Sequence, residues 1–292
     1  MNRTNSQLIL YVFLLVYLMY FLLLRDKNFI LKALNIEDEI FEVKRENISA
    51  FYTCHDEIRS VNKVLSHFRK SYPRAPIYMF NDAGNSFLRH LSMRYEAKYH
   101  YYREHAVTVS HGNYWNSSDK AFRYVKDLIF TAVDSMSDWV ILLEDDSMVL
   151  KPLHMEDLRY DMNGADVDFM PQTYWWDVIQ TYIGNHTPGA TLHSWYNGCG
   201  GTVFRGKFLR KLAMNLTLIY EQVEIFRDLS ITKFKSWNMP SDQVLSFIIQ
   251  INNGSIGYYD HFADYNLVHT WYNFFFGETH IVHGDKSAYK KK

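Results

Sequence analysis

Cysteine is scarce in this 292-residue chain: Cys54 and Cys199 are its only two. Two thiols build neither a disulfide scaffold nor a zinc-type cysteine cluster. Net charge is almost absent as well, with 31 Lys and Arg against 32 Asp and Glu. That balance leaves no basic footprint for nucleic acid. Beyond Asn47 the chain has no Pro/Gly/Ser-rich linker, no repeat and no low-complexity tract before the terminal Lys290-Lys291-Lys292. This stretch therefore reads as one domain of about 245 residues. Apolar character is plentiful. Hydrophobic residues make up 48% and charged residues 22%, which excludes a disordered polyelectrolyte and suffices for a real core. The aromatic share is 17% and fits either a generous core or surfaces that stack on sugars or bases.

The longest purely apolar run is Leu8 to Leu24, uncharged, without Gly or Pro and with Tyr11, Tyr17 and Tyr20 able to sit near an interface. As a helix it spans roughly 25 Å, slightly less than the ~30 Å hydrocarbon core. Arg25, Asp26 and Lys27 follow it where a signal peptidase needs small residues, so an uncleaved anchor is expected. The expected organisation is a tail (1–7), a transmembrane anchor (8–24), a short charged stem (25–46) and a catalytic domain (47–292). Orientation is contested. Arg25, Lys27 and Lys32 outweigh Arg3 and favour a cytoplasmic domain. Five Asn-x-Ser/Thr sequons, at Asn47, Asn116, Asn185, Asn215 and Asn253, favour a lumenal one.

Past the stem, strand and helix signals alternate. Ile48–Cys54 reads as a strand, Ile58–Phe68 as an amphipathic helix and Pro76–Phe80 as a strand closed by a turn at Asn81-Asp82-Ala83-Gly84. Phe87–Tyr95 is helical, Tyr99–Tyr102 a third strand and Ala121–Met136 a strong helix. Trp139–Leu143 is a continuous apolar run, as a buried parallel strand should be. This order predicts an α/β domain with a mainly parallel sheet and right-handed crossovers. Ligands bind such sheets off the carboxyl ends of the strands.

Glu144-Asp145-Asp146 sits at that end. Three adjacent carboxylates repel one another and need solvent, a helix N-terminus or a cation. Oxygen ligands of this kind suit Mg²⁺ or Mn²⁺; a plain acidic turn between strands is the alternative.

The stretch Asp138 to Leu153 resembles the signature of GT-A fold glycosyltransferases, which use nucleotide-sugar donors. Their acidic triplet is usually Asp-x-Asp, with Glu-Asp-Asp a variant. The resemblance covers most of the chain after the anchor in order of elements, although only the triplet and a few loops are specific. It implies a single GT-A (Rossmann-like) domain with a mixed, mainly parallel central sheet. It implies Asp146 as the main ligand of Mn²⁺ or Mg²⁺, with Glu144 and Asp145 assisting around the donor. Thr53 and His55 end the first strand, where the family holds base and ribose, and Asp82 ends the second, where a carboxylate commonly contacts them; an ordinary Asx turn is the rival at Asp82. Cys54 reads as a buried small residue. Gly198, Gly200 and Gly201 let backbone approach a ligand, and the family places a similar strand and loop beside the donor sugar; a tight bend without function is the alternative. Trp175, Trp176 and Trp195 fit stacking or core equally.

Asp242 follows Ser241 at the start of an apolar helix, Val244–Ile251. Ser241 as N-cap with Asp242 complementing the dipole is one reading. The resemblance offers another, with Asp242 as the base that deprotonates an acceptor hydroxyl in an inverting transfer. Near the C-terminus it implies His283 rather than His280 as a further metal ligand and Lys286 as a diphosphate contact. His283-Gly284-Asp285-Lys286 is a compressed form of a His-x-x-Gly-x-x-Lys pattern from a retaining branch, which leaves the stereochemistry open.

The expected activity is metal-dependent transfer from a UDP- or GDP-sugar to a glycan or glycoprotein hydroxyl, at an ER/Golgi-type or host-cell membrane. An anchored transferase with so short a stem resembles both secretory-pathway enzymes and those encoded by large DNA viruses of algae. Two rivals are a sugar nucleotidyltransferase and a non-catalytic membrane-anchored carbohydrate-binding protein. The first usually carries a Gly-rich basic loop after the first strand, and Thr53 to Ser60 has no Gly. The second explains the aromatics but not the acidic triplet with a downstream His and Lys.

Overall fold

The computed structural model describes residues 46–104, 114–115, 117–165, 174–190, 198–234, 239–264 and 279–284. The anchor run Leu8 to Leu24 and nearly all of the stem lie outside them, as do Asn116, Trp195 and Lys286. Among the described residues no helix is long and apolar enough to cross a membrane.

The chain opens with β1 (Ile48–Cys54), α1 (Ile58–Ser71), β2 (Ile77–Asp82), α2 (Leu88–Arg94) and β3 (Lys98–Tyr102). α1 buries Val61, Val64, Leu65 and Phe68, one stripe at helical spacing. After β4 (Tyr114–Trp115), α3 runs from Ser118 to Ser135. The Ser117 side chain accepts the Lys120 N–H at its start, and Met136 closes it in the left-handed region. The helix therefore begins a turn before the apolar spacing shows it. β5 (Trp139–Leu143) follows, with all five residues buried.

β6 (Met148–Val149), β7 (Met162–Gly164), α4 (Tyr174–His186), β8 (Val203–Arg205), α5 (Gly206–Leu212) and α6 (Leu216–Phe234) continue the chain. It ends with β9 (Met239–Pro240), α7 (Ser241–Ile251), β10 (Ile256–Tyr258), β11 (Phe262–Asp264) and β12 (Ile281–His283). Pro240 precedes α7, and no side chain caps it, so the expected Ser241 cap gives way to Ser241 as the first helical residue.

The seven-stranded sheet has the order β10-β7-β8-β5-β1-β2-β3. Its pairs are parallel except β5/β8 and β7/β8, so the sheet is mixed and mainly parallel, as expected. β5 separates two apolar layers. Val140 and Leu142 face a core with α3, α5, α6 and α7, while Trp139, Ile141 and Leu143 face one with α1 and α2. This alternation is why the run carries no polar residue. Trp176 is 1% exposed and belongs to the first core.

A smaller sheet, β11-β12-β6, carries the chain's late strands to the triplet. β6 follows the triplet almost at once and pairs with β12, Val282 opposite Met148, while β11 pairs Asp264 with His283. Separately, β4 pairs with β9 immediately before α7.

Leu142→Ala empties a fully buried position and is expected to cost about 2–5 kcal/mol. Met214→Ala, at a side chain 86% exposed, should stay within about 0.5 kcal/mol. Urea unfolding of the two variants checks the contrast.

Candidate functional site

The parallel registers bring the carboxyl ends of β1, β2 and β5 to one edge: Tyr52 lies beside Leu143 and Cys54 beside Asn81. The residues just past those ends form the candidate site.

The triplet divides there. Asp145 accepts the Tyr52 hydroxyl at 2.8 Å, and its carbonyl accepts the Ser60 hydroxyl from α1. Burial, with Asp146 and Glu144 adding repulsion, pushes its carboxyl up to about 7 against the Tyr52 hydrogen bond. Glu144 and Asp146 instead meet His283. The His283 Nε2 lies 3.6 Å from Glu144 Oε2 and 3.5 Å from Asp146 Oδ1. Ser147 tightens the turn, its hydroxyl accepting the Glu144 N–H at 2.8 Å.

These three donors lie within 4.8 Å of one another. Cis ligands on an octahedral cation with bonds of ~2.1 Å stand about 3 Å apart, so the observed spacing needs only small closure. Two carboxylates and one imidazole suit Mn²⁺, and Mg²⁺ through the oxygens. The donor set fits the implied metal. Asp145 stands outside this group.

Asp264 is a residue that sequence reasoning missed. It is buried at the end of β11 and accepts the His283 Nδ1–H at 2.9 Å. That bond turns Nε2 towards the carboxylates, the usual arrangement behind a ligating imidazole. The Cys199 thiol also approaches Asp264, at 3.8 Å. Burial works against a charged His283 ring, but Cys199, Asp264 and Glu144 outweigh it and hold its pKa well above 6.5. A cation bound through Nε2 would displace that proton.

The glycine segment threads between Glu144 and α7. The Gly200 N–H donates to Glu144 Oε2 at 3.1 Å, and a Cβ there would meet the Glu144 Cβ at 2.9 Å. At Gly198, with φ +126°, a Cβ would come within 3.0 Å of the Asp242 Cα. Only glycine allows both approaches. Gly201 packs against Phe262 and Ile281 instead. Asp242 is partly buried in the first turn of α7, its Oδ1 accepting the Gln243 N–H at 2.9 Å. Burial, aided by Glu144, pushes its carboxyl up to about 6 against that hydrogen bond and the pull of His283.

A second group occupies the β1 and β2 ends. The His55 Nδ1–H donates to the Asp82 carbonyl at 2.9 Å. The Asp82 carboxylate pairs with Arg123 of α3 at 2.9 Å. Arg123 lies over the Tyr102 ring, and the Tyr102 hydroxyl donates to Asp127. Asn81, fully buried, holds the turn by accepting the Gly84 N–H. Thr53 bonds to Tyr124 through its side chain. The Cys54 thiol donates to the Phe80 carbonyl, and burial raises its pKa well above the ordinary value, so it is not poised as a nucleophile.

No protein-family model and no curated protein matches the sequence. Among solved structures the chain is similar to S. aureus TarS, at 12% identity over 72% of this chain and 34% of that one, with a TM-score of 0.39. It is similar to S. aureus TarS 1-349 in complex with UDP, at 10% identity over 72% and 57%, with a TM-score of 0.40. It is also similar to galactosyltransferase LgtC in complex with donor and acceptor sugar analogues, at 13% identity over 82% and 88%, with a TM-score of 0.47. The chain thus spans about a third of the first and just over half of the second.

Asp127 supplies a test of this edge. Burial pushes its carboxyl up to about 6, against the Tyr102 hydrogen bond and the nearby Lys126 and Arg123. A folded-state pKa above the unfolded one adds stability at low pH that is lost as pH rises through about 6. Relative to Asp127→Asn, the wild type should therefore lose about 1–1.5 kcal/mol between pH 5 and 7.5. Urea midpoints at the two pH values check the sign.

Proposed function

We propose that this chain is a metal-dependent glycosyltransferase of GT-A type, acting on a nucleoside-diphosphate sugar and the hydroxyl of a glycan or glycoprotein. The observation that carries the reading is the convergence of Glu144, Asp146 and His283 at the end of the buried central strand. Asp242 approaches the same place from the far side of the glycine segment. A structural acidic turn has no use for an imidazole brought from a late strand and oriented by a second carboxylate.

In this reading Glu144, Asp146 and His283 hold Mn²⁺ or Mg²⁺, which when bound supplies Lewis-acid neutralisation of a nucleoside diphosphate leaving group. His55 and Asp82 occupy the position for base and ribose, with Arg123 fixing the Asp82 carboxylate. The Gly198 to Gly201 backbone offers close approach to the donor sugar. Lys286 adds positive charge towards the diphosphate. Asp242 takes the proton from the attacking acceptor hydroxyl, which implies inversion. Its partly buried setting makes it a stronger base than an ordinary aspartate. Asp145, turned to Tyr52, supports the strand end rather than the donor. The proposal includes anchoring through Leu8 to Leu24 at an ER/Golgi-type or host-cell membrane.

The decisive experiment is thermal stabilisation of the full-length chain by a panel of UDP- and GDP-sugars, each with and without Mn²⁺. A metal-dependent rise with one donor, lost in Asp146→Ala, is expected. A rise that survives in Asp146→Ala would overturn the metal assignment, and no rise with any donor would overturn the transferase reading. With the donor in hand, Asp242→Asn should lower kcat about 10²–10⁴-fold while leaving donor stabilisation in place. Because the base acts deprotonated, wild-type kcat/KM at saturating Mn²⁺ should climb with pH through about 6.

A further inference from the structure

The smaller sheet carries a second convergence of metal-type donors. The short 3₁₀ turn Met155–Asp157 follows His154 and is closed by the Asp157 N–H donating to the His154 carbonyl at 3.1 Å. Three residues per turn set side chains i and i+3 one above the other, so His154 and Asp157 project together. The His154 Nδ1 lies 3.6 Å from Asp157 Oδ2. His261, in the turn that enters β11, brings its Nε2 to 3.7 Å from the same oxygen. The three donor atoms all fall within 4.8 Å of one another.

The backbone around them is held. The His280 N–H donates to the His261 carbonyl at 2.8 Å, and the Leu150 N–H to the His280 carbonyl at 2.7 Å. The buried Tyr259 hydroxyl accepts the His154 N–H at 2.9 Å and lies 2.9 Å from His280 Nδ1. The buried His280 ring stacks on His261 at 4.4 Å and meets His154 edge-on at 4.5 Å, walling one side of the cluster. His154 leaves the outer side open, its side chain 52% exposed.

We propose that His154, Asp157 and His261 form a binding site for a Zn²⁺-class divalent cation. Two imidazoles and one carboxylate match the ligand set that zinc prefers. Tetrahedral ligands with bonds of about 2.0–2.1 Å stand roughly 3.3 Å apart, close to the two distances observed. Water completes the shell on the open side. The cation ties the turn after β6 to the entry of β11. It thereby braces the sheet whose other end presents Asp264 and His283. The assignment holds independently of the transferase reading.

The test uses the full-length chain carrying Asp146→Ala and His283→Ala, which together remove donors from the Glu144–Asp146–His283 and Cys199–Asp264–His283 groups. Zinc content after dialysis and the thermal midpoint with Zn²⁺ are the two readouts. At about a hundred times its Kd, Zn²⁺ should raise the midpoint by roughly 5–10 °C. Adding His154→Ala should remove one equivalent of bound zinc and abolish the rise. Being largely exposed, His154 can be removed without opening the core. Asp157→Asn should give the same loss. Zinc binding and stabilisation that persist in both added variants would overturn the site, as would the absence of any zinc binding in the Asp146→Ala/His283→Ala background.

Discussion

Three carboxylates in succession at the end of a dry strand must each find a donor or a counter-charge, and much of this domain is arranged about that need. The strand cannot be relaxed to separate them, because β5 is buried on both faces and paired on both edges. The turn after β5, closed by the Ser147 N–H donating to the Glu144 carbonyl, does the first part of the work by sending Asp145 to one side and its neighbours to the other. On the first side a tyrosine hydroxyl receives Asp145. On the second, a backbone amide and an imidazole stand opposite Glu144 and Asp146. A histidine with raised proton affinity and a divalent cation are alternative answers to the same excess of negative charge.

That demand explains the otherwise uneconomical chain path. β12 contributes only three residues, too few to stabilise a sheet alone. Its pairing with β6 and β11 carries His283 and Asp264 to the triplet. The glycine segment has a matching constraint: it passes so near Glu144 and α7 that a methyl group at Gly200 would collide with Glu144. Charge placement and backbone packing are thus parts of one arrangement.

The central strands were legible because their signals are local. Ile48–Cys54 and Trp139–Leu143 run over the expected residues, since unbroken apolar runs fit buried parallel strands. Helix ends were less legible. Ser117 caps α3 ahead of its apolar stripe, and Pro240 rather than Ser241 precedes α7. Asp264 left no readable signal, since its role depends on lying opposite His283 across a pairing of β11 with β12. The division of the triplet was hidden for a related reason: which carboxylate faces Tyr52 depends on the register of β1 against β5. Trp176 could have faced solvent or core from sequence alone, and only the packing of α4 decides for core.

The late position of β12 has a consequence during synthesis. Roughly 140 residues separate Asp146 from His283, and at about 5–20 residues per second a ribosome needs about 7–28 s to make them. For that interval β5 and its acidic turn exist without the imidazole. A newly made chain therefore passes through a stage in which Tyr52 already serves Asp145 but Glu144 and Asp146 lack their imidazole, and the final strand does more than complete a small sheet: it ends that stage.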